Sequence, residues 1–273
     1  MTETQKVMER EWNILIVLDA CRYDYFKKYN TIEGKLKKVI SSSTGTKDWF
    51  GKIINNNCSN IIYITPLVKF DIWYPNHGFF KEVKLWKGKK NYEKGFKYSV
   101  LDPLSISKIG LKYIKKYPDK RFIIHFLMPH PPFLTIDSKH KEKIKEESIR
   151  TDKNIKNSKL KQKTLFIIWA LKQRFPTVVF WYLERLLGLH SGMLVLYKAG
   201  GFKLIQKLYY DNFKLSLLSI NEIRNNTKGK MVVTADHGQR LGDYGMFGHG
   251  GWKSKSVVEV PWFEVKEVKD EIL

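Results

Sequence analysis

The chain has 273 residues, 43% of them hydrophobic, which is enough apolar side chain for one large α/β domain and too much for a globally disordered chain. Its formal net charge is +22, from 49 Lys and Arg against 27 Asp and Glu, so its partners are expected to be anionic: an acidic membrane surface, nucleic acid, or phosphorylated and sulfated molecules. Two cysteines, Cys21 and Cys58, with no CxxC pair, exclude a zinc ribbon and a disulfide framework. The polar start MTETQKVMEREWN has no apolar signal core, and no run reaches the ~18 apolar residues of a spanning helix. These features lead us to expect a cytoplasmic protein, with peripheral contact at the inner membrane surface as an option.

In chain order, the first element is the apolar run Asn13 to Leu18, NILIVL, which ends in Asp19. A short continuous run rich in Ile and Val suits a strand buried on both faces. Residues 60–65 (NIIYIT), 121–127 (RFIIHFL) and 230–234 (KMVVT) repeat the pattern. Residues 106–117 and 208–223 carry apolar side chains at helical spacing. Strands alternating with helices predict an α/β fold with a mostly parallel central sheet and helices on both faces.

One segment breaks the alternation. Residues 138–163 are dense in Lys and Glu and read as an exposed basic linker or helix. Residues 165–189 are apolar and aromatic but interrupted by Lys172, Arg174 and Pro176. They suit ordinary core helices, a hairpin covering the active site, or a membrane-surface element with Trp169, Trp181 and Tyr182 at the interface. The expected organisation is therefore a single domain over 1–273 with a basic linker and an apolar helical insertion at about 138–200.

The chemistry gathers at strand ends. In an open parallel sheet, functional groups collect outside the carboxyl ends of the strands. The run VVTADHG places Asp236 and His237 there, and NILIVLD places Asp19 there. A carboxylate pair with an imidazole suits a divalent ion such as zinc or manganese. His130 stands in MPHPPF just past the third run, and His249 stands in the glycine-rich loop GDYGMFGHGG, twelve residues after His237.

The segments LDACRYD (18–24), PHPPF (129–133), TADHGQRLGDYGMFGHG (234–250) and PWFEV (261–265) resemble the alkaline phosphatase/sulfatase superfamily, most closely its short archaeal sulfatase-like hydrolases and transferases. The resemblance implies an alkaline phosphatase-like fold. It also implies one or two divalent ions (Zn, Mn, or Ca/Mg) on Asp19, Asp236, His237 and a hydroxyl nucleophile, with His249 as a further ligand. Within SSSTGTKDW (41–49) the first choice of nucleophile is Thr46, then Thr44, then Ser43. His130 and a cation such as Arg22 or Lys253 would offset charge developing on the transferred group.

Two departures narrow the activity. His125 and His130 lack the Asp four residues upstream that a second metal would need. Neither cysteine, nor the 41–49 loop, has the C/S-x-P-x-R context of formylglycine sulfatases. The expected function is phosphoester hydrolysis or phospho-group transfer, on a phosphodiester or on an anionic small-molecule, glycan or lipid-linked substrate. The alternatives are a sulfate-ester hydrolase of the same superfamily and a basic nucleic-acid-binding protein. The last lacks any recognition motif.

Overall fold

A computed structural model describes residues 3–54, 57–67, 73, 77–85, 102–146, 177–186 and 192–268. The four apolar runs form adjacent strands: β2 (Ile14–Asp19), β4 (Ile61–Thr65), β6 (Arg121–Pro129) and β7 (Met231–Ala235). Every residue of β2, β4 and β7 is buried, as expected of strands covered on both faces. With β1 (Glu3–Thr4), β3 (Gly34–Ile40), β5 (Lys81–Lys84) and β10 (Glu259–Val265) they make one sheet in the order β1-β3-β10-β7-β2-β6-β4-β5. Only β10 runs against the others in this sheet. The two short strands β8 (Arg240–Leu241) and β9 (Phe247–Gly248) form a separate hairpin.

Register decides where the chemistry lies. Leu18 of β2 pairs with Ala235 of β7, and Asp19 pairs with Pro129 of β6. Asp19, Asp236 and His130 therefore leave the sheet side by side at one edge.

Helices cover both faces. Successive strand residues point to opposite sides. On β6, His125 packs on Trp49 and Phe50 of α2 (Thr46–Ile54), while its neighbour Ile124 faces Gly110 of α3 (Pro103–Lys116). At Gly110 an added Cβ would stand 2.9 Å from Ile124 Cδ1, so the missing side chain sets how closely α3 approaches. Asp102 caps α3 by accepting from Ser105 N, and Pro103 opens it. Phe26 of α1 (Tyr23–Tyr29) lies between Phe213 of the long helix α5 (Gly192–Asn225) and Phe263 of β10.

The expected helix at 208–223 is the second half of α5, which bends at Gly201 (φ 62°, ψ −158°), a conformation open only to glycine. The strands missed by periodicity include two rich in lysine, β3 (GKLKKVI) and β5 (KEVK), whose charges hide the pattern, and the apolar β10 (EVPWFEV).

Parts of the 138–200 insertion are described. Residues 138–146 are helical, and α4 (Thr177–Leu186) packs beside the start of α5. Trp181 is 1% exposed, with Tyr197, Phe202 and Phe247 around its ring. This corrects the membrane-surface expectation for Trp181, which belongs to a second apolar cluster with Leu194, Ile205 and Tyr209. Tyr182 is exposed, and Trp169, Lys172 and Arg174 lie outside the described residues. No helix among the described residues is long and apolar enough to cross a membrane.

Phe213 is fully buried at the junction of α1, α5 and β10, whereas Leu218 on the same helix is 58% exposed. Phe213→Ala is predicted to cost about 3–5 kcal/mol in urea unfolding, against about 0.5 kcal/mol or less for Leu218→Ala. Equal losses would place α5 differently on the sheet.

Candidate metal centre and active site

Asp19, Asp236 and His237 each offer a ligand atom, and these atoms lie within 4.8 Å of one another. His237 Nε2 stands 3.6 Å from Asp19 Oδ1 and 3.4 Å from Asp236 Oδ2. His237 Nδ1 is 2.8 Å from the Gly238 carbonyl, so it is the protonated nitrogen and Nε2 presents its lone pair to the carboxylates. Burial pushes His237 down to about 3, which keeps the imidazole neutral. Burial first, and then the Asp236 charge, raise the Asp19 carboxyl well above its ordinary range.

The donor set fits a divalent cation. Asp236 Oδ1 accepts from the amides of Ala20 (3.0 Å) and His237 (2.8 Å), and Oδ2 accepts from Thr46 Oγ1 (2.6 Å). Asp19 Oδ1 is buried and has no hydrogen-bond partner, an arrangement that a cation between the two acids would satisfy.

The loops are shaped for this. Ala20 adopts φ 61°, unusual for a residue with a side chain, and so turns its amide to Asp236 while its carbonyl accepts from Tyr209 of α5 at 2.7 Å. Asn212, one turn along α5, donates to the carbonyls of His130 and Pro132 and holds that loop. Ser41 Oγ donates to the Asp236 carbonyl. At Gly238 a Cβ would stand 2.2 Å from Ser256 O, so only glycine lets the DHG loop lie against residues 254–257.

Thr46 opens α2. The residue is 8% exposed, and its hydroxyl lies 2.6 Å from Asp236 Oδ2 and 3.3 Å from His237 Nε2. A buried amide, Gln5, fixes this helix to β7: Trp49 Nε1 donates to Gln5 Oε1, and Gln5 Nε2 donates to Thr234 Oγ1 and the Ala235 carbonyl, each at 2.7 Å. Ser43, by contrast, spends its hydroxyl on the Gly45 carbonyl within the loop. The backbone carbonyl of Thr44 accepts from His249 Nδ1.

His249 is not among the clustered ligand atoms; its ring stacks on His237 at 4.1 Å, with His130 edge-on at 5.4 Å. Burial lowers the pKa of both His249 and His130, with His237 next for His249. A hollow of about 670 Å³ opens over these two rings, bounded also by Gly45, Asp48, Arg240 and Trp181. Arg22 takes no part in this cluster. Its guanidinium forks onto Asp24 (2.8 and 2.6 Å) and reaches Asp243 (2.7 Å), tying α1 to the glycine loop. Lys253 lies outside the hollow as well. Sequence reasoning missed Tyr209, Asn212 and Gln5, whose roles arise only in three dimensions. It also missed Gln239 and Arg240, which border the hollow and could have been found from their place beside DHG.

No family model matches the sequence, and no curated protein matches it. Solved structures do. Phosphonate monoester hydrolase of Agrobacterium radiobacter superposes with TM-score 0.54 and 11% identity over 93% of this chain and 68% of that one. A putative sulfatase from Bacteroides thetaiotaomicron gives 0.51 and 11%, over 92% and 63%. The C-terminal periplasmic domain of EcEptC from Escherichia coli, a zinc complex, gives 0.50 and 10%, over 98% and 77%. At these identities the likeness is one of chain fold, and the fold is alkaline phosphatase-like.

Asp19→Asn removes one of two adjacent buried acids. In chelated buffer it is predicted to raise stability by about 1–2 kcal/mol. With Zn²⁺ or Mn²⁺ supplied, the wild type should melt higher and the variant should gain little. A wild-type melting temperature indifferent to chelator would contradict the cation reading.

Proposed function

We propose that the chain is a metal-dependent hydrolase or transferase acting on phosphoesters, with Thr46 as the nucleophile. The observation that carries this is the Thr46 hydroxyl, 2.6 Å from Asp236 and 3.3 Å from His237, with Asp19 Oδ1 3.6 Å from that histidine's Nε2. A phosphonate monoester hydrolase and a zinc complex among the structures of like fold support the same chemistry.

Asp19, Asp236 and His237 would hold one divalent ion, with the Thr46 oxygen beside them. Bound there, the ion supplies Lewis acidity that lowers the pKa of the threonine hydroxyl. Thr46 also sits at the first turn of α2, where the helix dipole favours a developing alkoxide and an anionic substrate. Asp236 Oδ2 already accepts the hydroxyl hydrogen bond. Attack forms a Thr46 Oγ–P bond as the P–O bond to the alcohol breaks, the hydroxyl proton passing by way of Asp236 Oδ2 to the departing oxygen, and water or an acceptor hydroxyl then breaks the Oγ–P bond and returns a proton to Thr46. His130 and His249 commit Nδ1 to the carbonyls of Pro131 and Thr44, so Nε2 is left for a proton once an ester oxygen enters.

One such cluster among the described residues favours a single ion. A phosphodiester carries less charge than a monoester dianion, so it suits one ion with histidine support. The hollow's Trp181 and Met193 give an apolar wall for an organic leaving group, in keeping with a glycan or lipid-linked ester.

Thr46→Ala is predicted to lower kcat on bis-p-nitrophenyl phosphate by about a thousandfold, ~4 kcal/mol of barrier, while metal stays bound. Thr44→Ala should stay active, and the reverse pattern would move the nucleophile two residues upstream. Wild-type kcat/KM should rank the diester above p-nitrophenyl phosphate and p-nitrophenyl sulfate. A lead for the sulfate ester would overturn the phosphoester assignment.

A further inference from the structure

A second hollow, of about 510 Å³, borders the first. The loop at 249–252 divides them: Gly250 and Gly251 line the first, Trp252 and Lys253 the second. Arg240, 2% exposed, holds this divider by donating to the carbonyls of Gly250 (3.2 Å) and Trp252 (2.6 Å).

Two aromatic rings stand in water at the second hollow. Tyr244 is 74% exposed and Trp252 is 52% exposed, with centroids 5.6 Å apart and planes at 47°. Tyr244 has φ 56°, a left-handed conformation that a residue with a side chain adopts at a cost. Neither ring contributes to the buried core. Large exposed aromatic faces beside polar groups mark ligand-binding surfaces.

The formal charges of the lining sum to zero, but they are unevenly paired. Asp24 and Asp243 both pair with Arg22, and Glu259 pairs with Lys38 at 3.2 Å. Lys253 and Lys255, both exposed, make no ion pair among the described residues. The walls thus combine tilted aromatic faces, carboxylates able to accept from hydroxyls, and two lysines without an ion pair among the described residues. A sugar ring offers an apolar face of C–H bonds for the aromatics and hydroxyls for the acids, and an anionic substituent would meet the two lysines.

We propose that this hollow is a subsite for a hexose bearing an anionic group, phosphate or carboxylate, placed one loop away from the reacting ester. The proposal rests on the phosphoester reading for what lies next door, but its binding test needs no turnover. The test is a titration of the full chain, labelled with ¹⁵N at tryptophan, with the Trp252 indole signal assigned by Trp252→Phe. The probes are glucose 6-phosphate, D-glucuronate, glucose, inorganic phosphate and a short oligothymidylate. Glucose 6-phosphate and glucuronate are expected to shift the Trp252 signal at millimolar concentration, and glucose to do so more weakly. Lys253→Ala with Lys255→Ala should weaken the anionic sugars about fivefold, and Tyr244→Ala should weaken all three sugars by a similar factor. If only glucose 6-phosphate acts, the anion is a phosphate; if both act, charge alone is read. An equal shift with inorganic phosphate, tighter binding of the oligothymidylate, or no shift with either anionic hexose would overturn the proposal. Turnover of a p-nitrophenyl ester, measured separately, decides the phosphoester reading on its own.

Discussion

Two carboxylates that would repel one another, Asp19 and Asp236, are brought to neighbouring strand ends by the register of β2 on β7 and are buried there. Like charges this close and this dry are costly unless something is shared between them. Much of the local structure answers that constraint. Asp236 is met by two backbone amides and the Thr46 hydroxyl, which is why Ala20 takes a left-handed conformation and α2 begins where it does. Asp19 Oδ1 is left without a donor, facing a neutral histidine nitrogen. An acceptor-only cluster of this kind suits a cation far better than it suits a hydrogen-bond network.

Holding the cluster requires elements distant in sequence. Helix α5 reaches the Ala20 loop through Tyr209 and the His130 loop through Asn212, and Gln5 links α2 to β7. The candidate ligands are thus oriented by side chains outside the cluster itself. The same helix also carries the apolar cluster around Trp181 that walls one side of the hollow.

The central strands were legible because burial on both faces leaves no polar residue to break the run, as in Ile14 to Leu18. Asp19, Asp236 and His237 could be picked out as candidates because Asp19 ends such a strand and the other two come straight after one. Thr46 was readable only to within a loop, since Ser43, Thr44 and Thr46 have similar chemistry. Their hydrogen bonds differ, Ser43 turned into its own loop and Thr46 onto Asp236, which is what favours Thr46 in the proposal. Arg22 is drawn onto Asp24 and Asp243, a pairing between residues 22 and 243 that no local pattern reveals. Trp181 has the composition of an interfacial residue and the burial of a core one, because α5 and the β8–β9 hairpin cover it. Polar strands such as β5 carry no apolar alternation and owe their place to pairing with β4.

The most direct measurement of the central claim is a crystal structure of the protein soaked with Mn²⁺ and vanadate, with anomalous scattering used to locate the metal. The account predicts one manganese peak bonded to Asp19, Asp236 and His237, with vanadium bonded to Thr46 Oγ1. A metal bound elsewhere, or vanadate attached to a residue other than Thr46, would contradict it.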